Sequence, residues 1–423
     1  MLSSRHGGSD APGGCGHLRR SEAVMAMTPH DSPVHETTTP AMRRARLLID
    51  GTWCHGDAGQ VDVVDKYSGA VIGRAERASR VQVDAAIASA QRSFANTPLD
   101  AQQRFEWMRR TAALVEQHKA ELAALICAEG GLPITDATNE VTRTAQTFLV
   151  SAEEAKRLVG EMVPIDAAPG QAHRMAYTLR MPRGVVCGIT SFNSPLNMVA
   201  HKVAPALASG NTVVVKPPEL APLSATRLCE LLIEAGGPPS HVQLVHGPGA
   251  DLGTWLVEHP GIAFYTFTGS TRVGQWLHER VGLRPVALEL GSIAATIVAD
   301  DADLDRAAAR CAASGFRRAG QMCTSTQRLF VDARVLDDFT ARFLAVVRAL
   351  TVGDPHDPAT DVGPMISERE AARAEAWVAQ AVAGGATLLE GGRREGALFY
   401  PTVLTRVAGD MRVVCEEIFA PVL

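Results

Sequence analysis

Three early stretches, near residues 80 to 95, 101 to 128 and 135 to 158, carry apolar side chains three and four positions apart, a period that predicts amphipathic helices. "GEMVPIDA" and "HRMAYTLRMPR" follow with strand-like spacing around a turn of Gly and Pro, predicting a hairpin over 160–181. Strand and helix patterns then alternate strictly through "GVVCGIT", "PLNMVAHKVAPALASG", "NTVVVKP", "PLSATRLCELLIEAG", "VQLVHG", "ADLGTWLVEHP", "IAFYTFTG" and "STRVGQWLHERVG". That succession predicts a parallel, doubly wound sheet with helices on both faces and a ligand beyond the carboxyl ends of its strands. A second alternating series starts at Pro285 with "VALELGS" and "AATIVAD". It continues through a helix near 302 to 315, the strand "QRLFVDA" and helices near 334 to 350 and 367 to 384, and is still inside an apolar motif at Leu423. The expected fold class is α/β, with a doubly wound domain of 46–159 and 182–288, the inserted hairpin, and a second α/β domain of 289–423.

Residues 1–45 lack this periodicity and are rich in Gly, Ser, Pro, Thr and His, so they are expected to form a disordered tail. Met25 and Met27 leave a later translation start open. "RLLIDGTW", from Arg46, begins the folded composition.

Composition narrows the class of partner. The chain of 423 residues is 46% apolar and 21% charged, enough for a large core. A net charge of -5 from 41 basic and 46 acidic residues offers no field for nucleic acid or a membrane surface, so the expected partner is a small molecule. Eight scattered cysteines without a C-x-x-C pair fit reduced thiols rather than a metal site, and no apolar run suggests a signal or a membrane span. The expected location is cytoplasmic.

Four stretches carry candidate chemistry. "GPGADLG" at 247–253, with Gly249, is one residue longer than a dinucleotide fingerprint and reads equally as a strand-to-helix turn. In "FTGSTRVG", Gly269, Ser270 and Gly274 open a helix whose free N–H groups suit a pyrophosphate, and a plain Ser N-cap is the other reading. "VVVKPPE" ends a strand with Lys216 and Glu219, either ribose ligands or a solvated charge pair. Cys323, in "AGQMCTST", has small and polar neighbours that fit no apolar stripe, which favours a partly exposed thiolate, whereas the other seven cysteines read as buried hydrophobes.

"TSFNSPLNMVAHKVAPALASGNTVVVKPPE", "FTGSTRVG", "LELGS", "GQMCTSTQRLFV" and "EEIFAPV" together, in this order, resemble the NAD(P)-dependent aldehyde dehydrogenases from residue 45 to 423, nearest to lactaldehyde-like small-aldehyde members. The resemblance implies an NAD-binding first domain, a catalytic second domain, an oligomerisation hairpin and oxidation of an aldehyde to a carboxylic acid. It implies that Cys323 is the nucleophile, Asn193 the oxyanion donor, Glu289 the base that hydrolyses the thioester, and Lys202 an electrostatic support. Glu289 between Leu288 and Leu290 also reads as a costly buried carboxylate. Lys216 and Glu219 would hold the adenosine ribose, Gly249, Gly269, Ser270 and Gly274 would line the cofactor, Glu417 would bind the nicotinamide ribose, and Phe419 would lie beside that ring. Glu219 would repel a 2′-phosphate, so the cofactor expected is NAD, with NADP as the alternative. Arg143 would favour an anionic aldehyde or face solvent.

Three residues depart from the family pattern: Phe192 in place of tryptophan, Ser292 in place of glycine, and Arg318 in place of asparagine. Arg318 would either lower the thiol pKa or face solvent. Family members run several dozen residues past "EEIFAPV" and add a strand that joins a neighbouring subunit's hairpin. The sequence is therefore expected to be a fragment or a truncation, and the family's homo-oligomer is in question. Two further readings stand beside the oxidation: a remnant that binds NAD without catalysis, and a CoA-acylating semialdehyde dehydrogenase, which would not need Glu289.

Overall fold

The structure, a computed structural model, describes residues 42–423. Strands β1 (Arg43–Ala45), β2 (Leu47–Ile49), β3 (Thr52–Cys54), β4 (Gln60–Val64) and β5 (Val71–Glu76) open it, and β1-β5-β4 form a small sheet. The tail expected to reach residue 45 has its residues 1–41 outside the described residues and overlaps β1 over Arg43–Ala45. Ala45 decides this, because it is fully buried while Arg43 and Arg44 face out.

Helices α1 (Arg80–Asn96), α2 (Ala101–Gln117), α3 (Lys119–Gly130) and α4 (Ile134–Ala155) come next. Ser79 with Gln82, and Asp100 with Gln103, close reciprocal capping boxes at the first two. The single helix expected over 101–128 divides at His118. Its ring bonds Glu121, whose carboxylate also receives Arg43 and Arg227, so a charge network fixes a turn that periodicity runs through. In the hairpin only β6 (Met162–Val163) and β7 (Ala176–Tyr177) pair, short as expected of a ribbon lacking other strands beside it.

The main sheet is built from β8 (Val185–Ile189), α5 (Asn197–Ala208), β9 (Thr212–Lys216), α6 (Leu223–Glu234), β10 (Val242–Leu244), α7 (Asp251–Glu258), β11 (Phe264–Thr268), α8 (Thr271–Arg280) and β12 (Val286–Glu289). Its order is β12-β11-β8-β9-β10-β2-β3. The first five strands are parallel and the last two run antiparallel along one edge, an addition to the all-parallel expectation. "VALE", read as the start of the second series, is the opposite edge, pairing Val286 with Tyr265. Val186, Val213 and Val215 pack with the α2 to α6 side, and Val185, Cys187 and Val214 with the α1 and α7 side. Each fully buried valine is worth ~1.5 kcal/mol or more over exposure, so the sheet is anchored from both faces.

The strand order reverses between β8 and β11, and in such a sheet ligands bind in the crevice beyond the strand ends at that reversal. The second unit pairs β13 (Ala294–Val298) in parallel with β14 (Thr326–Val331) and adds α9 (Leu304–Phe316), α10 (Leu336–Arg348) and α11 (Glu368–Ala383). Phe316, Phe339 and Phe343 stack at its centre, with ring centroids 5.6 and 6.2 Å apart. Among the described residues no helix is long and apolar enough to cross a membrane.

Candidate active site

The carboxyl ends of the parallel strands deliver the candidate residues one by one. Lys216 and Glu289 are the last residues of β9 and β12, Gly269 and Ser270 follow β11, and the loop after β8 carries Asn193. The Asn193 carboxamide is oriented at both ends: its Oδ1 accepts from Ser191 Oγ at 2.8 Å, and its Nδ2 donates to the Gln321 carbonyl at 2.8 Å. An amide nitrogen carries two N–H donors, so this contact uses one and joins the loop to the turn that holds Cys323.

That turn is shaped by Gly320. Its φ is +66°, and a Cβ there would stand 2.1 Å from the Ala420 carbonyl oxygen, so only glycine lets the two segments touch. Gln321 is buried and accepts from the Ile366 N–H at 3.0 Å. Cys323 itself is partly exposed. The thiolate expected from its polar neighbours is not what the surroundings favour: burial pushes the thiol up from its ordinary value, and nearby Glu417 and Glu289 push it further. Arg318 neither faces solvent nor lowers that pKa, because it is buried and turned toward Glu140, 3.1 Å away.

Glu417 is held from two sides. Its Oε1 accepts from the Ser292 N–H at 3.0 Å, and a Cβ on Gly291 would stand 2.2 Å from its Oε2, so position 291 is where glycine is required. Ser292 supplies only its backbone here, which is why a side chain is tolerated. Gln327 fixes the segment, donating to the Val413 and Glu416 carbonyls and accepting from the Ile418 N–H. Phe419 meets Phe192 edge to face at 5.9 Å.

Glu289 is exposed, contrary to the buried carboxylate expected between two leucines, because it ends an edge strand on which Val286, Leu288 and the following Leu290 turn to the core while Ala287 and Glu289 turn out. It faces Lys202, whose ammonium is pulled below its ordinary pKa by burial, with Glu289 acting in the opposite direction. Glu417 and Glu289 thus both act on the Cys323 thiol, Glu289 acts on Lys202 as well, and Asn193 is bonded to the cysteine's turn.

Residues 53–423 match the aldehyde dehydrogenase family. The chain belongs to it. Over 385 residues it is 42% identical to 3-sulfolactaldehyde dehydrogenase of Priestia aryabhattai, covering 91% of this chain and 80% of that protein. Among solved structures it superposes on an NAD-dependent aldehyde dehydrogenase from Sinorhizobium meliloti with TM-score 0.87 and 36% identity, covering 90% of this chain and 77% of that one. It also superposes on an NADP-dependent glyceraldehyde-3-phosphate dehydrogenase from Bacillus halodurans, complexed with NADP, with TM-score 0.87 and 38% identity over 90% of this chain and 81% of that one.

At the far end of this aldehyde dehydrogenase's crevice the candidate cofactor residues behave differently from one another. Lys216 is buried, its pKa lowered to about 8 by burial, and its Nζ donates to the Pro217 carbonyl. Glu219 pairs with Arg77 at 3.0 Å, a contact the sequence reading missed because Arg77 lies 142 residues upstream with no motif around it. Ser270 caps α8 through its Oγ while the helix start stays exposed, so both readings of this serine are compatible with the geometry. A Cβ on Gly269 would stand 2.6 Å from the Phe267 ring, and one on buried Gly274 2.3 Å from Leu290, so packing alone calls for glycine at both. A Cβ on Gly249 would meet nothing within 4 Å, so nothing close requires glycine there. Of the cysteines read as buried, Cys127, Cys187, Cys229 and Cys311 are; Cys54 is half-buried and Cys415 exposed, since each lies at a rim of its unit, and Cys15 is outside the described residues.

Proposed function

We propose that this aldehyde dehydrogenase oxidises a small, anionic aldehyde to the acid with NAD, through Cys323 as the nucleophile. The observation that carries the reading is the Asn193 amide bonded to the Cys323 turn, with Glu289 and Glu417 close enough to shift that thiol.

The Cys323 sulfur, as thiolate, adds to the carbonyl carbon, and the oxygen takes the negative charge. Asn193 Nδ2 donates to that oxygen, a contact worth ~3 to 4 kcal/mol at the transition state. Bound NAD supplies the hydride acceptor that turns the thiohemiacetal into a thioester. Glu289 then takes a proton from water adding to the thioester carbonyl; the C–S bond breaks, and Cys323 leaves as thiolate with the acid as product. The residues present fit that cofactor: Glu417, braced against Gly291 and the Ser292 N–H, would accept from the nicotinamide ribose, the exposed start of α8 would offer N–H groups to phosphate, and Glu219 would accept from ribose hydroxyls. NADP remains the alternative, because Arg77 offsets the Glu219 charge.

The anionic preference rests on a cleft of about 470 Å³ lined by Met322 and Thr324, the two neighbours of Cys323, with Arg310, Arg317 and Ser314. Arg317 is paired with Asp136, whereas Arg310 has no ion pair among the described residues. The Priestia relative, by its name, acts on an aldehyde bearing a sulfonate. Arg143 is exposed and stands near His201 rather than at this cleft. The hairpin is proposed to join copies of the chain into a homo-oligomer.

The test is rapid mixing of NAD-loaded protein with a small aldehyde. A burst of NADH is expected, abolished in Cys323→Ala and kept in Cys187→Ala. Glu289→Gln should keep the burst and slow turnover by roughly 10²- to 10⁴-fold. NAD binding without NADH from any aldehyde would instead support the remnant reading, and a burst that survives Cys323→Ala overturns the proposal.

A further inference from the structure

Residue 318 is an arginine whose side chain is buried instead of open to solvent, and its surroundings explain what it does there. Arg318 and Ala319 both adopt left-handed backbone, with φ of 53° each, ahead of Gly320 at +66°. Two successive non-glycine residues in that region persist only where the surrounding structure dictates it. The turn carries the guanidinium into the protein, where its side chain is 3% exposed.

There Nη1 donates to the Asn193 carbonyl at 2.9 Å and to Ser194 Oγ, and lies 3.1 Å from Glu140 Oε2. The other oxygen of Glu140, Oε1, accepts from the N–H groups of Leu196 and Asn197, each at 3.1 Å. The ion pair thus grips the backbone on both sides of the bend between β8 and α5. A circuit closes on the crevice side: Asn193 Nδ2 donates to the Gln321 carbonyl, Gln321 Nε2 to the Arg318 carbonyl at 3.3 Å, and Arg318 back to the Asn193 carbonyl.

We propose that Arg318, with Glu140 as its counter-ion, is a positioning residue that locks the Asn193 carboxamide against the Cys323 turn. The role rests on the proposed function, in which Asn193 stabilises the oxyanion. A buried ion pair is a poor device for stability, since apolar or neutral replacement of both partners is often harmless to the fold. Among the described residues Nε and Nη2 of Arg318 find no acceptor, which also counts against a purely stabilising role. What the pair does supply is registry between two loops 125 residues apart in the chain. Misplacing an oxyanion donor by about 1 Å is expected to slow the chemical step by up to ~10²-fold.

The experiment measures single-turnover NADH formation, thermal midpoint and NAD affinity in four variants: Arg318→Met/Glu140→Gln, Arg318→Lys, Asn193→Ala, and the first combined with the third. The double variant removes both charges together, so no unpaired charge is buried, and its midpoint and NAD affinity are expected to stay near those of the parent. Its turnover step should slow by about tenfold to a hundredfold. Arg318→Lys, which keeps the charge and loses the planar fork, should fall between, and serves as the probe if the double variant does not fold. In the Asn193→Ala background the same substitutions should change the rate by less than about twofold, because the group they position is gone. Equal slowing in both backgrounds, or an unchanged rate in the parental one, overturns the role. If Cys323→Ala abolishes the burst while that coupling is missing, only the role of Arg318 falls. If the burst survives Cys323→Ala, the proposed function falls and this role with it.

Discussion

A thiol flanked by two carboxylates is a reluctant nucleophile, and Cys323 is such a thiol. Burial comes first, then Glu417 and Glu289, and all three raise its pKa above the ordinary 9.0. The sign follows directly: at neutral pH the thiolate is the minor form, and its share grows as pH rises. Alkylation of the Cys323 peptide by iodoacetamide, followed by mass spectrometry without cofactor, is therefore expected to accelerate continuously from pH 7 to beyond 9. Glu417→Gln removes one negative neighbour and should move the profile to lower pH; an unmoved profile would show that the carboxylate does not act on the sulfur. At the other end of the crevice, Arg77→Ala removes the partner that stands 3.0 Å from Glu219. Fluorescence titration should then show the NADP-to-NAD ratio of dissociation constants rising by ~3- to 10-fold, in line with a half-exposed pair worth about 1 kcal/mol. Cys323, Asn193 and Glu417 stand as candidates in short motifs, because the chemistry proposed for them is read from local residue strings. Arg77, Glu140 and Gln327 could not: each acts on a partner far away in the chain, and only tertiary contact reveals it.

The same contrast holds for whole strands and helices. β8 and β9 were legible because a strand buried on both faces reads as a continuous apolar run, as "TVVVK" does. β12 is ambiguous in sequence, heading the second series from Pro285 although the boundary at 288 leaves most of it in the first domain, since its pattern says strand but not which sheet; pairing with β11 is decided by the crossover through α8. His118 hid a helix break because the apolar period continues across it. α9 is the element where substrate preference is expected to reside, for its final turns point Arg310 and Ser314 into the cleft beside Met322 and Thr324. Arg310→Ala should lower kcat/KM by roughly tenfold for a three-carbon aldehyde bearing a sulfonate or carboxylate, and by less than about twofold for the neutral homologue. An equal loss on both substrates would remove α9 from substrate selection.

At the scale of the whole molecule, the hairpin is the conspicuous surface. Met162, Met175, Tyr177, Leu179 and Met181 are each more than 60% exposed, a concentration of apolar area that is the basis for proposing contact between copies of the chain there. Sedimentation at micromolar concentration is expected to show a homo-oligomer, and Met162→Asp/Tyr177→Asp to shift it toward the single chain with the far-UV spectrum retained. A parent protein that already sediments as a single chain would refute self-association through this ribbon. The close approach of Gly320 to the Ala420 carbonyl has a consequence of its own. The sulfur-bearing bend and the strip leading out of Glu417 mesh like gear teeth, with no clearance for either to turn alone. Widening the enzyme for a bulkier aldehyde by shifting the cysteine would drag Glu417, the ligand proposed for the coenzyme, along with it, so on that proposal the two properties must be re-engineered as one.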